Sequence, residues 1–182
     1  MGIFDFFKKD KEDEIDPLKD LTLDKLQVGY FVDFDLSTWE VTGYNIYDWG
    51  DGDVSREWQL SSSEELLYLE KESDDEDYWS LNKKISFADL DPVVKKTILE
   101  KSDPPDVVVF EGVSFYIEEM AGGHFLKGGQ GTGTPLLRWG YVDEEGGRLL
   151  GIEQWGDNEF EASTGIPVEE YQFTNILPRK IH

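Results

Sequence analysis

Residues 28–46 read VGYFVDFDLSTWEVTGYNI, and this stretch decides the fold because it has the pattern of two β-strands joined by a turn. Tyr30, Val32 and Phe34 recur at every second residue, so they share one face of a strand. A turn follows Phe34, and Trp39 begins the return strand. The stretch therefore predicts a two-stranded antiparallel unit near the start of the chain.

A diverged copy of this unit begins the second half. The five-residue offset from Phe34 to Trp39 recurs from Phe110 to Phe115. Two further pairs of segments continue the match in the same order: residues 57–60 with 138–141, and residues 66–70 with 149–153. The order and spacing predict a tandem duplication of residues 28–90 and 106–177. Chance matches between aromatic and aliphatic runs of an all-β chain are the alternative.

Three motifs of the first half carry a family resemblance. They are VGYFVDFDLSTWEVTG at residues 28–43, EWQL at 57–60 and LLYLE at 66–70 with Trp79 after it. In this order they resemble the bacterial family catalogued as domain of unknown function 4178, although Tyr30 stands where that family usually has an acidic residue. The resemblance covers residues 26–79, and the second half only through the repeat. It implies a β-rich cytoplasmic module, often encoded near envelope-stress or membrane proteins, and it supplies no catalytic residues.

Composition excludes several classes of protein. The chain has 182 residues, enough for one sizeable domain or two small β modules. It has 0 cysteines, which excludes disulfides and thiolate metal sites. Forty acidic and 17 basic residues give a net charge of -23, which would repel nucleic acids, so nucleic-acid binding is the least expected class. This charge suits a basic protein partner or a cation, and solubility alone also explains it.

Location is predicted from two absences in the sequence. No run approaches the ~20 apolar residues that span a bilayer, and no secretory signal is visible. The expected location is the cytoplasm, with the inner face of the membrane as a second site. No cofactor is predicted apart from the calcium considered below.

The N-terminal segment, residues 1–9, is an amphipathic candidate for recruitment. Ile3, Phe6 and Phe7 have i, i+3, i+4 spacing, with Lys8 and Lys9 behind them. This face is predicted to bind a protein partner, including one at the membrane. A frayed terminus, or a helix docked on its own domain, gives the same pattern.

The fold class predicted is all-β with short helices: two repeated antiparallel β modules, forming small barrels or a sandwich, joined by a helical connector. Asp91 and Pro92 have the cap-then-proline pattern that starts the connector helix. The predicted segments are residues 1–27 (amphipathic segment, charged linker and short helix), 28–90 (first module), 91–105 (connector) and 106–182 (second module). The predicted strands are 28–35, 39–47, 56–60, 66–72, 77–81, 107–111, 114–127, 136–143, 148–155, 158–162 and 171–176.

One group of residues has the chemistry of a calcium site. Asp48, Asp51, Asp53 and Glu57 gather oxygen ligands in a turn, as Ca²⁺ requires. The spacing departs from the helix-loop-helix calcium pattern, and Asp and Gly are ordinary β-turn residues. The glycine-rich residues 128–135 lead into a strand and not a helix, so they indicate a hairpin loop and not a phosphate cradle.

Two carboxylates and one histidine are the catalytic candidates. Glu70 and Glu153 occupy equivalent repeat positions, and a pair of such carboxylates can act as general acid and base. Charged strand ends at the solvent boundary are the alternative. His124 is the only internal histidine available as a base, and an exposed strand histidine is its alternative.

The sequence favours a non-enzymatic interaction or scaffold module that its N-terminus recruits to a membrane-associated or envelope-stress partner. An alternative is a protein that binds a small ligand or cation in the cleft between the repeats. A second alternative is a cryptic hydrolase. No oligomeric state is predicted.

Overall fold

A computed structural model describes residues 21–178, and its strands form one antiparallel sheet. In chain order these are β1 (Phe31–Phe34), β2 (Ser37–Gly50), β3 (Asp53–Ser61), β4 (Leu66–Ser73), β5 (Asp77–Ile85), β6 (Val107–Phe110), β7 (Val113–Lys127), β8 (Thr134–Asp143), β9 (Leu149–Gly156), β10 (Glu159–Val168) and β11 (Thr174–Leu177). The helix α1 spans Pro92–Lys101, and 3₁₀ turns span Leu23–Lys25, Phe87–Asp89 and Glu170–Gln172. The all-β prediction is confirmed, since each predicted strand overlaps an observed one.

The strand order bends the sheet into a ring. The order is β11-β1-β2-β3-β4-β5-β10-β9-β8-β7-β6, and β2 also pairs with β7. The ring therefore runs from β2 through β3, β4, β5, β10, β9 and β8 to β7, and the pairing of β7 with β2 closes it. The β2–β7 join extends from Asn45 opposite Lys127 to Asp48 opposite His124. The sequence predicted two modules as small barrels or a sandwich, whereas strands of both halves share this one sheet.

Tight turns join the first strands of each half. Asp35 and Leu36 between β1 and β2 have φ of 47° and 61°, and Glu111 and Gly112 between β6 and β7 have φ of 49° and 78°. Two successive residues with positive φ are typical of the hairpin turns that match strand twist. β-bulges then interrupt β2 between Val41 and Gly43, and β7 between Ile117 and Glu119. Each bulge exchanges the faces of the following side chains.

The apolar residues form two clusters on the outside of the ring. Trp58, Leu60 and Leu69 belong to the first, which Leu23 and Leu26 also enter. The second contains Trp139, Tyr141, Leu150 and Ile152 from the sheet, with Val94 and Ile98 from α1. Large apolar side chains on period-two strands are expected in the core, and the sequence predicts this for Trp39, Trp58, Trp139, Leu67 and Leu69. The prediction is confirmed for all of them except Leu67, which is partly buried against the first cluster.

The segments that cover the clusters are fixed by hydrogen bonds. The Trp58 indole Nε1 donates to the Leu26 carbonyl at 2.9 Å, and the Trp139 Nε1 donates to Asp103 Oδ1 at 3.0 Å. Asp91 caps α1 by accepting from the Val93 amide at 2.9 Å, as the cap-then-proline pattern predicts.

The short helix predicted within residues 1–27 falls in a segment that is described only from residue 21, and there the structure has the 3₁₀ turn Leu23–Lys25. Among residues 21–178, no helix combines the length and apolar character needed to cross a bilayer.

Candidate functional site

Polar side chains meet inside the ring because successive residues of a strand point to opposite faces. Trp58 and Leu69 face each other on the outer face, so the neighbouring pair Glu57 and Glu70 points inward. Trp139 and Ile152 likewise face each other outside, which turns Arg138 and Glu153 inward. Only 6% of the Glu57 surface and 2% of the Glu70 surface is exposed. The ring interior is therefore charged.

Tyr47 links the two halves of this interior. Its hydroxyl lies 3.1 Å from Glu153 Oε1 and 3.3 Å from Glu57 Oε2. Asn45 Nδ2 donates to the other Glu57 oxygen at 2.9 Å, and Asn45 Oδ1 accepts from the Gly128 amide at 3.3 Å. The hydroxyl has one proton, so Tyr47 donates to one of these two carboxyl groups at a time. Both hydrogen-bond partners of Glu57, Asn45 and Tyr47, are uncharged.

Arg138 forms the ion pair of the interior. Its Nη1 and Nη2 donate to the two Glu70 oxygens at 2.5 and 2.7 Å, a bidentate geometry. Its guanidinium also lies 5.3 Å from the Tyr47 ring centroid and 5.8 Å from that of Trp49. Although burial opposes its charge, Glu70 keeps the pKa of Arg138 above its usual range. Arg138 therefore stays charged and paired with Glu70.

Burial raises the pKa of three further carboxyl groups, those of Glu57, Glu153 and Glu72. Burial, and then the charge of Glu70, raise the pKa of Glu57 to about 7. Burial also raises the pKa of Glu153, while Arg138 opposes that change. Two residues beyond Glu70 on β4, burial and then the charge of Glu70 raise the pKa of Glu72 to about 7. Near neutral pH, Glu57 and Glu72 are therefore each partly protonated.

The space between the central groups is small. The cavity that Tyr47, Glu57, Glu70, Arg138 and Glu153 line together has a volume of about 20 Å³. This volume has room for a water molecule and for no organic substrate.

A much larger pocket opens at one end of the ring, which we call its mouth. Its volume is about 1030 Å³, and Glu57, Asn45 and Tyr47 lie along it. Its aromatic lining consists of Tyr44, Tyr47, Trp58, Tyr68, Phe125 and Trp155. The Phe125 ring contacts both Tyr47 and Trp155, with centroids 5.1 and 5.4 Å apart. We call this space the mouth pocket.

Basic residues contribute to the lining of the mouth pocket. Lys84 forms an ion pair with Glu161, and both side chains line the pocket. Lys25, Arg56 and Lys127 also line it, and Lys127 is exposed. The pocket thus combines a buried carboxyl group with four basic side chains.

Comparison with known proteins gives a family. Residues 27–170 match the family model described as domain of unknown function (DUF4178). The chain belongs to the DUF4178 family. An uncharacterized protein of Aquifex aeolicus (strain VF5) is 25% identical over 173 residues, which covers 95% of this chain and 94% of that protein. No solved structure matches.

The DUF4178 match is a single unit that spans strands of both halves. The resemblance drawn from sequence motifs covered residues 26–79 directly and reached the second half only through the repeat. The family is thus confirmed, and its extent is larger than the motifs predicted.

The catalytic candidates of this DUF4178 protein have different fates. Glu70 and Glu153 do converge on one cavity, and the expectation that Glu70 is a charged group at the solvent boundary is wrong because it is buried. His124 is exposed. Its neighbour Phe125 contacts Tyr47 inside the ring, so His124 points to the outer face and not toward the carboxylates.

The proposed calcium ligands are not brought together. Asp48 Oδ1 accepts from the Gly50 amide at 3.0 Å, and Asp51 has a φ of 54°, so this segment is a β turn. Glu57 points into the ring from the middle of β3, whereas Asp53 is the first residue of that strand, next to the turn. Within residues 21–178, no group of three or more His, Cys, Asp or Glu side chains is arranged to hold a metal ion.

Two other candidate segments have simpler outcomes. Residues 128–133 form the loop between β7 and β8, as predicted. Ile3, Phe6 and Phe7 lie outside the described residues, so partner binding through them stays a prediction.

Sequence reasoning missed Asn45, Tyr47, Arg138 and Trp155 as site residues. A signal for Arg138 was available: it and Glu57 each precede a tryptophan predicted to be core, so period-two alternation turns both away from the apolar face. Nothing comparable marked Tyr47, because the bulge in β2 sets its direction.

Proposed function

We propose that this protein is a non-enzymatic binding module whose small ligand occupies the mouth pocket. The observation that carries the proposal is an open cavity of about 1030 Å³ beside a buried carboxyl group. Ligand sites are typically concave and lined by apolar and aromatic side chains with a few convergent polar groups. Tyr44, Phe125 and Trp155 supply such walls, and Glu57 and Asn45 supply such polar groups.

The central carboxylates support binding better than hydrolysis. Both Glu70 oxygens are engaged by Arg138, and one Glu153 oxygen, Oε1, lies at hydrogen-bond distance from the Tyr47 hydroxyl. An acid and base pair also needs a substrate between its members. The volume available between Glu70 and Glu153 is about 20 Å³.

We also infer an internal duplication within the family domain, with the ligand between its halves. The turn residue Asp35 and the bulge residue Val41 correspond to Glu111 and Ile117, both 76 residues later (111 minus 35 and 117 minus 41). In each half, the segment that precedes the first strand accepts a hydrogen bond from an indole N–H. Leu26 accepts from Trp58, and Asp103 accepts from Trp139. The mouth pocket takes its walls from strands of both halves.

The sequence predictions on location also stand as proposals. We propose a cytoplasmic module in which Ile3, Phe6 and Phe7 contact a protein partner, including one at the membrane. Their amphipathic spacing is the support.

A plug variant tests the ligand site. Thr134 is exposed, begins β8 and lines the mouth pocket, so Thr134→Trp should fill part of it with little cost to a strand. Thr174→Trp on β11 is the matched control, since Thr174 is also an exposed strand residue but does not line the pocket. A fragment library is screened by ligand-observed NMR. Hits should be lost in the first variant and kept in the second; hits that ignore Thr134→Trp, or no hits at all, contradict the proposal.

A further inference from the structure

The charge balance around Glu57 is incomplete. The cavity that Glu57, Glu70 and Glu153 line also contains two cations: the Arg138 guanidinium, which is engaged with Glu70 through both nitrogens, and Lys84, which forms an ion pair with Glu161. Among the ion pairs of residues 21–178, none includes Glu57. Its oxygens accept only from Asn45 and Tyr47, although buried carboxylates are normally paired with a cation. The position of a cation partner for Glu57 is therefore open on the side of the mouth pocket.

The walls beside Glu57 suit a cation that carries apolar substituents. Tyr44, Tyr68, Phe125 and Trp155 line the same pocket. The face of an aromatic ring attracts an ammonium group through its quadrupole and packs against the attached carbons. Water molecules in the pocket would leave these aromatic faces without an apolar or cationic contact.

We propose that the ligand is an organic ammonium ion whose nitrogen donates to the Glu57 carboxylate, an inference that rests on the binding function proposed above. Its carbon skeleton lies between the aromatic walls. Four basic side chains line the same pocket, so a ligand with a single ammonium group fits better than a polycation; they are Lys25, Arg56, Lys84 and Lys127.

Proton linkage gives the inference a specific signature. An ammonium pairs with the ionised form of Glu57, whose pKa burial raises to about 7 in the free protein. Binding near neutral pH should therefore release a proton. Because only the ionised fraction is competent, affinity should rise about tenfold between pH 6 and pH 8. Every variant used below keeps the other titratable groups that face Glu57, so they do not account for a difference between variants. These groups are Tyr47, Glu70, Lys84, Arg138, Glu153 and Glu161.

The test uses three probes of one shape: 4-phenylbutylammonium, the uncharged 4-phenylbutanol and the anionic 5-phenylpentanoate. Binding to the full chain is measured by tryptophan fluorescence and calorimetry at pH 8. The ammonium should bind about tenfold or more tightly than the alcohol, as a charge-assisted hydrogen bond predicts. Glu57→Gln should remove that difference, whereas Glu72→Gln should not, because Glu72 is a half-buried carboxyl with a similar pKa that lies outside the mouth pocket.

The outcomes separate this inference from the binding function. If the alcohol or the anion binds as well as the ammonium, or if Glu57→Gln leaves the ammonium affinity unchanged, the inference is overturned. It is overturned as well if none of the probes binds. In each of these cases fragment hits that depend on Thr134 would still support a pocket for ligands of another chemistry. Circular dichroism and melting of Glu57→Gln check that the variant is folded.

Discussion

Replacing Glu57 with Gln should stabilise the protein at neutral pH and above. Glutamine has the shape of the protonated side chain: its amide oxygen can accept from Asn45 Nδ2, and its amide N–H can donate to the Tyr47 hydroxyl oxygen. It removes a buried carboxyl group that ionises beside Glu70. The variant should therefore differ from the wild type in how its stability depends on pH.

The sign and size follow from the pKa of Glu57. That pKa is raised from 4.5 to about 7 on folding, so between these values the folded state binds more protons than the unfolded state. The contribution of Glu57 to the free energy of unfolding is consequently complete below about pH 4.5, falls as pH rises, and is lost above about pH 7. A change of this size corresponds to about 3 kcal/mol.

Urea unfolding at pH 5 and pH 8 measures this difference. Glu153 and Glu72 also have raised pKa values, so the comparison is between the Glu57→Gln variant and the wild type at each pH. The free-energy difference between them should shift by about 2 to 3 kcal/mol in favour of the variant from pH 5 to pH 8. Glu145→Gln, in an exposed turn, is the control and should show no shift. Parallel pH profiles for the Glu57 variant and the wild type would refute the reasoning.

Three further predictions concern the ion pair, the core and the N-terminus. Arg138→Met leaves Glu70 buried without a partner and should cost about 3 to 5 kcal/mol in urea unfolding, and adding Glu70→Leu should recover much of it; equal losses in both variants would contradict this. Trp58→Ala should lower stability by about 3 to 5 kcal/mol by the same measurement, because the indole is fully buried; an unchanged melting temperature would contradict it. Phe6→Glu with Phe7→Glu should reduce co-sedimentation with a partner or membranes while the melting temperature hardly moves, and unfolding of this variant would instead assign the segment to the core.

The sequence predicted the strands and the core because both depend on local periodicity. Trp58 and Trp139 stand in period-two segments, and both are buried against the segments that precede the first strand of their half. The helix start at Asp91 was equally local, since a cap and a following proline identify it.

The ring and its interior could not be predicted in this way. Pairing of β2 with β7 joins residues about 80 positions apart, and alternation along one strand contains no information on such a partner. Strict alternation from Trp39 would also place Tyr47 on the apolar face. The bulge after Val41 inserts an extra residue, so Tyr44 packs against the outer cluster and Tyr47 turns inward.

The placing of the apolar clusters outside the ring bears on why the interior is polar. Burying a charge costs several kcal/mol unless it is paired and hydrogen-bonded, so a protein that needed only stability would fill the ring with apolar side chains. Here Trp58 and Trp139 lie in outer clusters that the flanking segments cover. The protein therefore buries apolar surface outside the ring and does not depend on an apolar ring interior. Arg138 compensates Glu70 fully, yet Glu57 has no such partner and borders the open pocket. A cost that the fold does not require, located where a ligand can enter, is the pattern expected of a binding site.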